Sequence, residues 1–284
     1  SMLTANVDNR AGYGRVVRDG RQTAVVEHRD CNQQQLEITE INSGFYVFDS
    51  EFLKSTIGKL GTNNAQQEKY LTDLIGISDQ VSTELVSDNW LVAGINDRVQ
   101  LSELTAELNG RIIKAWQLSG VTVMDPGSTW IDVTVQLGED VVIEPSVQLR
   151  GTTSVGKQTL IGSGSVITDA VIGSEVSIKS SDINSSIIED GANVGPFAYL
   201  RAGTKLSING KIGAFVETKN AEIGAGSKVP HLSYVGDAKI GSGSNIGAGT
   251  IFANYDGITG GRAHVGDDVK TGAGNVFVAP VTIN

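Results

Sequence analysis

Arg201, Lys219, His231, Tyr234 and Asn245 are side chains of kinds that do polar chemistry. They stand among small residues, aliphatics and glycines, and His231 is one of only three histidines in the chain. An imidazole titrates near neutrality, so it suits a general base. Arginine offers a phosphate a planar fork, and lysine offers a point charge. On residue types alone other readings stay open: a surface histidine with no role, and cations that splay into water or pair with Glu217 or Glu222.

What would position these residues is a repeat. Ile131, Leu137, Ile143, Leu149, Val155, Ile161 and Ile167 are each six residues apart. After a five-residue step the pattern continues through Ile172 and Ile178, less cleanly through Ile183 and Ile188, then through Val194, Leu200, Leu206, Ile212 and Thr218. Later members run from Ile223 to Phe252 and from Val265 to Ile283. A hexapeptide period predicts a parallel β-helix, with the aliphatic residue inward and glycine at tight corners. Proteins with this pattern, which the chain resembles, are left-handed β-helices with three units per coil; the hand rests on that resemblance alone. Residues 18 apart should then stack about 4.8 Å from one another.

The register brings the polar residues together. Arg201 follows Leu200 and Lys219 follows Thr218, so the two cations should stand one above the other. Stacked like charges destabilise a sheet, and an anion between them would remove that cost. The positions one coil away from His231 are Ala214 and Ala248, both small enough to leave space around the ring. The one long break in the pattern, between Phe252 and Val265, contains ANYDGITGGRAH and predicts a projecting loop.

The first part of the chain has a different grammar. GRVVRDGRQTAVVEHRD predicts a hairpin turning at Asp19-Gly20, and LEITEINSGFYVFD a strand ending at Asp49. TNNAQQEKYLTDLIGI predicts a helix capped at Asn63 or Asn64. Residues 97–119 keep near-helical apolar spacing through Val99, Leu101, Leu104, Leu108, Ile112 and Trp116, with Gly120 as a stop. That helix would act as a semi-rigid arm. Across all 284 residues, 39% apolar content supports a core, while 35 glycines and 6% aromatics point to turn-rich β structure. A net charge of −10 gives no support for a nucleic-acid partner. A single cysteine, Cys31, rules out an intramolecular disulfide framework and fits a reducing, cytoplasmic setting. No run of 18 apolar residues predicts a membrane span, and no signal peptide is evident. Ser1-Met2 reads as an added pair, and the residues after it as the middle of a domain.

LRAGT (200–204), GAFVETKNAEIG (213–224), KVPHLSYVGDAKIG (228–241), SNIGAGT (244–250) and NYDG (254–257) resemble the acetyltransferase half of a bacterial bifunctional family. Its members are N-acetylglucosamine-1-phosphate uridyltransferase / glucosamine-1-phosphate acetyltransferase enzymes, which make UDP-N-acetylglucosamine. GYGRVV (12–17), VVEHRD (25–30), EINSG (40–44), NNAQQEKYLTD (63–73) and GINDRVQL (94–101) resemble the uridyltransferase half. The resemblance implies an α/β plus all-β chain in three parts. Residues 1–96 would be the C-terminal part of a nucleotidyltransferase domain, 97–120 a linker helix, and 121–284 a left-handed β-helix acetyltransferase domain.

The resemblance also implies roles. His231 would be the general base, and Arg201, Lys219, Tyr234 and Asn245 would bind glucosamine 1-phosphate. Ala248, Asn254, Tyr255 and Ala273 would line the acetyl-CoA side. Gly14, Glu27, Asn42 and Asn96 would bind UDP-N-acetylglucosamine, with Asn96 also a ligand to Mg²⁺. Members are homotrimers with acetyltransferase sites between subunits. The family's glycine-rich nucleotide signature and metal-binding aspartate are expected upstream of residue 1, and further coils after Asn284, so uridyl transfer is not expected of this chain alone. Gly260 stands where the family usually has lysine, with Arg262 nearby, and Ala273 where it often has serine. Two competing readings remain: another sugar nucleotidyltransferase whose β-helix serves only trimerisation, and a non-catalytic trimerisation scaffold. A zinc hydratase would need three histidine ligands, and only His231 and His264 lie in the repeat.

Overall fold

The computed structural model describes residues 1–20 and 22–284; Arg21, in the expected hairpin turn, lies outside the described residues. The chain forms two compact units, Ser1–Thr105 and Ala106–Asn284.

The first unit is built on a five-stranded sheet. Its strands are β1 (Met2–Asn6), β2 (Arg15–Asp19), β3 (Gln22–Val26), β4 (Glu40–Tyr46) and β5 (Thr83–Leu85), in the spatial order β3-β2-β4-β1-β5. The expected hairpin is present, with β2 and β3 antiparallel from Arg15↔Val26 to Asp19↔Gln22. Small helices flank the sheet: α1 (Gln33–Leu36), α2 (Ser50–Thr56) and α3 (Asp73–Ile77). The helix expected from Asn63 or Asn64 is corrected here, because it begins only at Asp73. The Asn64 amide oxygen takes the backbone N–H groups of Gln66 and Glu68 at 3.2 and 3.1 Å, and Gln67 turns left-handed at φ 55°. A short polar side chain that bonds its own backbone offers the chain an alternative to helix, and here the alternative wins. The predicted strand stops at Tyr46, and Asp49 instead caps α2, accepting from the N–H groups of Glu51 and Phe52.

Helix α4 (Arg98–Leu118) runs through Gly110 without a break. Half of its expected apolar face is in water, with Val99, Leu101 and Leu108 exposed. In the second unit Ile113 is the buried residue of the helix, with Ile112 and Trp116 packed beside it. The Asn109 side chain fixes this half: it donates to Thr129 O at 2.8 Å and accepts from Ile131 N at 3.0 Å. Gly120 ends the helix at φ +100°, a conformation that glycine adopts at little cost.

From Thr122 onward the chain is a parallel β-solenoid of about nine turns. The inward residues stack in register, Ile131 on Leu149, Ile167, Ile183, Leu200, Thr218 and Val235. All of these are buried, including Ile183 and Ile188 where the pattern is weakest in sequence. Each aliphatic side chain removed from water contributes roughly 1.5–3 kcal/mol. The small polar residues four places on serve the corners: Ser165 Oγ donates to Gly162 O at 2.7 Å and Thr159 Oγ1 to Gly173 O at 2.9 Å. Thr218 is tolerated inside because its hydroxyl meets that of Thr204 at 2.9 Å. Among the described residues, no helix is long and apolar enough to cross a membrane.

Candidate active site

One face of the solenoid is formed by Tyr199–Leu200, the start of Glu217–Ile223, the start of Tyr234–Ile240, and Ile251–Ala253, in successive turns. Leu200, Thr218, Val235 and Phe252 point inward and are buried. Alternation then places two columns outward: Tyr199, Glu217, Tyr234 and Ile251, and Arg201, Lys219, Gly236 and Ala253. Arg201 and Lys219 therefore stand in adjacent turns, as the spacing predicts; Arg201 N donates to Thr218 O at 2.9 Å. Arg201 Nη1 also pairs with Glu217 Oε1 at 3.1 Å, one of the alternatives that the residue types left open. Both side chains are about two-fifths exposed (41% each), so the pair is worth under about 1 kcal/mol and yields readily to a phosphate.

Just before the corner that opens this face, His231 ends the strand Lys228–His231. Its register partner in the turn before is Ala214. Lys228 bridges to Asn245, and Asn245 to Lys270, so the same register sets Ala248 and then Ala273 beyond His231. The imidazole is exposed in a column of alanines, with its backbone fixed by bonds from Gly249 N at 3.2 Å and Ser233 Oγ at 2.8 Å to His231 O.

Tyr234 lies three residues further, and its ring rests on Gly236. A Cβ built at Gly236 would sit 2.4 Å from the Tyr234 hydroxyl and 2.7 Å from the ring. Gly236, which motif reading missed, is the seat of this ring. Gly236→Ala should push the ring aside without unfolding the chain. Its expected signature is a shift of the Tyr234 ring-proton NMR signals with the melting temperature nearly unchanged, measured by NMR and thermal melts.

The projecting loop starts at Asn254. Its amide donates to Asp237, and Tyr255, largely exposed, bonds Gly257 O at 2.8 Å. Arg262, at the far end, is held by Glu222 at 2.6 Å. Sequence reading did not single out Asp237; the equal spacing of Asn220, Asp237 and Asn254 was the available signal.

In the first unit, three of the four expected nucleotide-sugar residues meet. Gly14 O accepts from Asn42 N at 2.9 Å, and a Cβ at Gly14 would lie 2.9 Å from Val25 Cγ1 and 3.3 Å from Glu27 Oε2. Glu27 accepts from Thr72 Oγ1 at 2.9 Å, and the Asn42 amide oxygen from Tyr46 Oη at 2.7 Å. Burial pushes the Tyr46 hydroxyl's pKa up. Asn96 is exposed; Gly94, two residues before it, donates its N–H to the hydroxyl of Tyr13, the residue before Gly14, at 2.8 Å. Mg²⁺ favours carboxylate and phosphate oxygens. Among the described residues no group of three or more His, Cys, Asp or Glu side chains could hold a metal, and Asn96 offers a single amide oxygen. The residues present do not fit a Mg²⁺ ion held by this chain alone.

The fold and site thus define a hexapeptide-repeat β-solenoid with a histidine beside a cationic face, joined to a small α/β unit. No family model matches the chain. Curated relatives match it over its whole length, and each is named bifunctional protein GlmU. The relative from Clavibacter sepedonicus is 51% identical over 289 residues, that from Rhodococcus opacus 52% over 290, and that from Mycobacterium tuberculosis 51% over 289. The alignments cover 100% of this chain but 58–59% of those relatives, so the chain spans less than two thirds of their length. The resemblance read from the motifs therefore extends over the full chain. Among solved structures, a Francisella novicida UDP-N-acetylglucosamine acyltransferase overlaps 55% of this chain and 62% of its own, with 15% identity and a TM-score of 0.49.

Proposed function

We propose that the solenoid transfers acetyl from acetyl-CoA to the amine of glucosamine 1-phosphate. The observation that carries this reading is the register that sets His231 in a column of alanines beside the Arg201/Lys219 face. Arg201 and Lys219 hold the sugar's phosphate, with Glu217 giving up Arg201 as the phosphate arrives. Tyr234 and Asn245 orient the sugar. His231 takes a proton from the amine as its nitrogen bonds the thioester carbonyl carbon; the carbon–sulfur bond then breaks, and the CoA thiolate leaves to be protonated. Positioning and proton removal suffice, with no acetyl-enzyme. Ala248, Ala273, Asn254 and Tyr255 border the acyl-donor side; at Ala273 only a backbone contact is available.

The coil is read as left-handed and the working form as a cytoplasmic homotrimer. Support for assembly comes from an exposed apolar column next to His231: Phe197 and Phe215, stacked 5.4 Å apart at 19°, then Leu232. Residues 1–96 are read as part of a uridyltransferase domain, with Gly14, Glu27 and Asn42 at its sugar-nucleotide surface and 97–120 as linker. Uridyl transfer from UTP, with Mg²⁺ at Asn96, is not proposed for this chain alone.

Thiol release from acetyl-CoA in the presence of glucosamine 1-phosphate tests the reading. Lys219→Ala should raise KM for the sugar phosphate about tenfold or more while changing KM for acetyl-CoA little, since a charge-assisted bond contributes roughly 1.5–3 kcal/mol. An unchanged KM for the sugar phosphate would remove Lys219 from the site.

A further inference from the structure

Asn220, Asp237 and Asn254 follow at 17-residue intervals and so share one corner in three successive turns. Asp237 Oδ1 accepts from Asn220 Nδ2 at 2.7 Å, and Asp237 Oδ2 accepts from Asn254 Nδ2. One carboxylate thereby joins the residue after Lys219 to the first residue of the projecting loop. Both partners are donors, so an acceptor-only group with two oxygens suits the middle position. Burial pushes the Asp237 carboxyl's pKa up, but the two amide bonds and the charges of Lys219 and Arg262 outweigh it and hold the carboxyl below its ordinary value.

The loop has its own internal bonds. Tyr255 bridges to Gly260, Gly261 N donates to Asn254 O at 2.8 Å, and the Asp256 carboxylate accepts from the N–H groups of Ile258 and Thr259 at 2.8 and 2.6 Å. Such bonds keep the loop's shape but do not set its direction. Direction is set at the roots, by the backbone ladders of Ala253 and Ala263 and by two side-chain ties to the solenoid, Asn254 to Asp237 at one root and Arg262 to Glu222 at the other.

We propose that Asp237 is a positioning residue for the acyl donor, clamping Asn220 to Asn254 so that the loop is held in register with the turn that carries Lys219. The ligand in this proposal rests on the acetyltransferase reading above; the clamp rests on the hydrogen bonds alone.

Asp237 has a left-handed backbone, φ 46°, so the test needs three variants of the full chain. Asp237→Ala removes both acceptors. Asp237→Gly does the same while relieving the backbone, which separates the carboxylate from strain. Asp237→Asn accepts left-handed φ and can keep both bonds, one to Asn254 and one to the exposed Asn220 amide turned round. Hydrogen exchange at the 254–262 amides should quicken about tenfold in the Ala and Gly variants and stay within about twofold of the parent in the Asn variant. The Kd for acetyl-CoA, from equilibrium binding, should follow the same pattern, about five- to tenfold weaker for Ala and Gly. Loop exchange unaltered in Asp237→Gly overturns the clamp. Faster exchange with unaltered affinity overturns its role in donor binding. A parent chain that binds no acetyl-CoA overturns that role and the acetyltransferase reading together, while exchange still decides the clamp.

Discussion

On the proposed acetyltransferase reading, His231→Ala should lower kcat by about two to four orders of magnitude, the range that a positioned general base contributes. The amine of the acceptor must lose a proton as it attacks, and His231 is the imidazole that stands in the alanine column. The substitution should leave the fold intact, because the ring is exposed and the bonds that fix this strand use the His231 carbonyl. Thermal melts of parent and variant should agree to within about 0.5 kcal/mol, the usual scale for surface changes. The check is thiol release under saturating acetyl-CoA and glucosamine 1-phosphate. Equal kcat in parent and variant would take the base role away from His231.

Gly213→Ala should have the largest effect on stability. Gly213 lies in the strand Lys211–Ala214, beneath Lys228–His231. A Cβ there would stand 1.8 Å from Pro230 O and 2.6 Å from its carbonyl carbon. Those atoms are backbone, so no side chain can swing away; one strand must leave its neighbour. Overpacking of this kind costs about 3 kcal/mol or more, a fall of roughly 10 °C in Tm for a unit of this size. Because the displaced strand ends at His231, acetyl transfer should fall as well. Gly272→Ala is the control: its Cβ meets nothing within 4 Å, and its melting should match the parent. A Gly213→Ala chain that melts with the parent would mean the turns are less tightly stacked than described.

The solenoid was legible because its signal is a period. Each inward Ile, Leu or Val answers to one burial site, and register follows from counting, so Arg201 above Lys219 and Ala214 beside His231 could be read from spacing. What counting misses is side-chain pairing across turns. The Arg201–Glu217 pair was one option among several, and the Asp237 bonds depend on which exposed groups turn toward each other. The first unit was less legible because its elements are short and non-repeating. Asn64 reads equally well as a helix cap or as the organiser of an irregular turn, and Asp49 as a strand end or a helix cap. Val99, Leu101 and Leu108 keep helical spacing yet face water, since spacing tells which residues align but not what covers them.

The stacking of turns has a consequence for how the site is lost. Each turn touches only its neighbours, so unfolding should proceed as fraying from an end, one turn at a time, in the manner of a one-dimensional chain of coupled units. Arg201, Lys219, His231, Ala248 and Ala273 lie on five successive turns. Turns that come apart in sequence from the Ala273 side would release Ala273 first, then Ala248, and Arg201 last. On the proposed acetyltransferase reading, contacts to the acyl donor would then be lost while Arg201 and Lys219 still hold the sugar phosphate, so that mild heating grades the site and need not abolish it in one step.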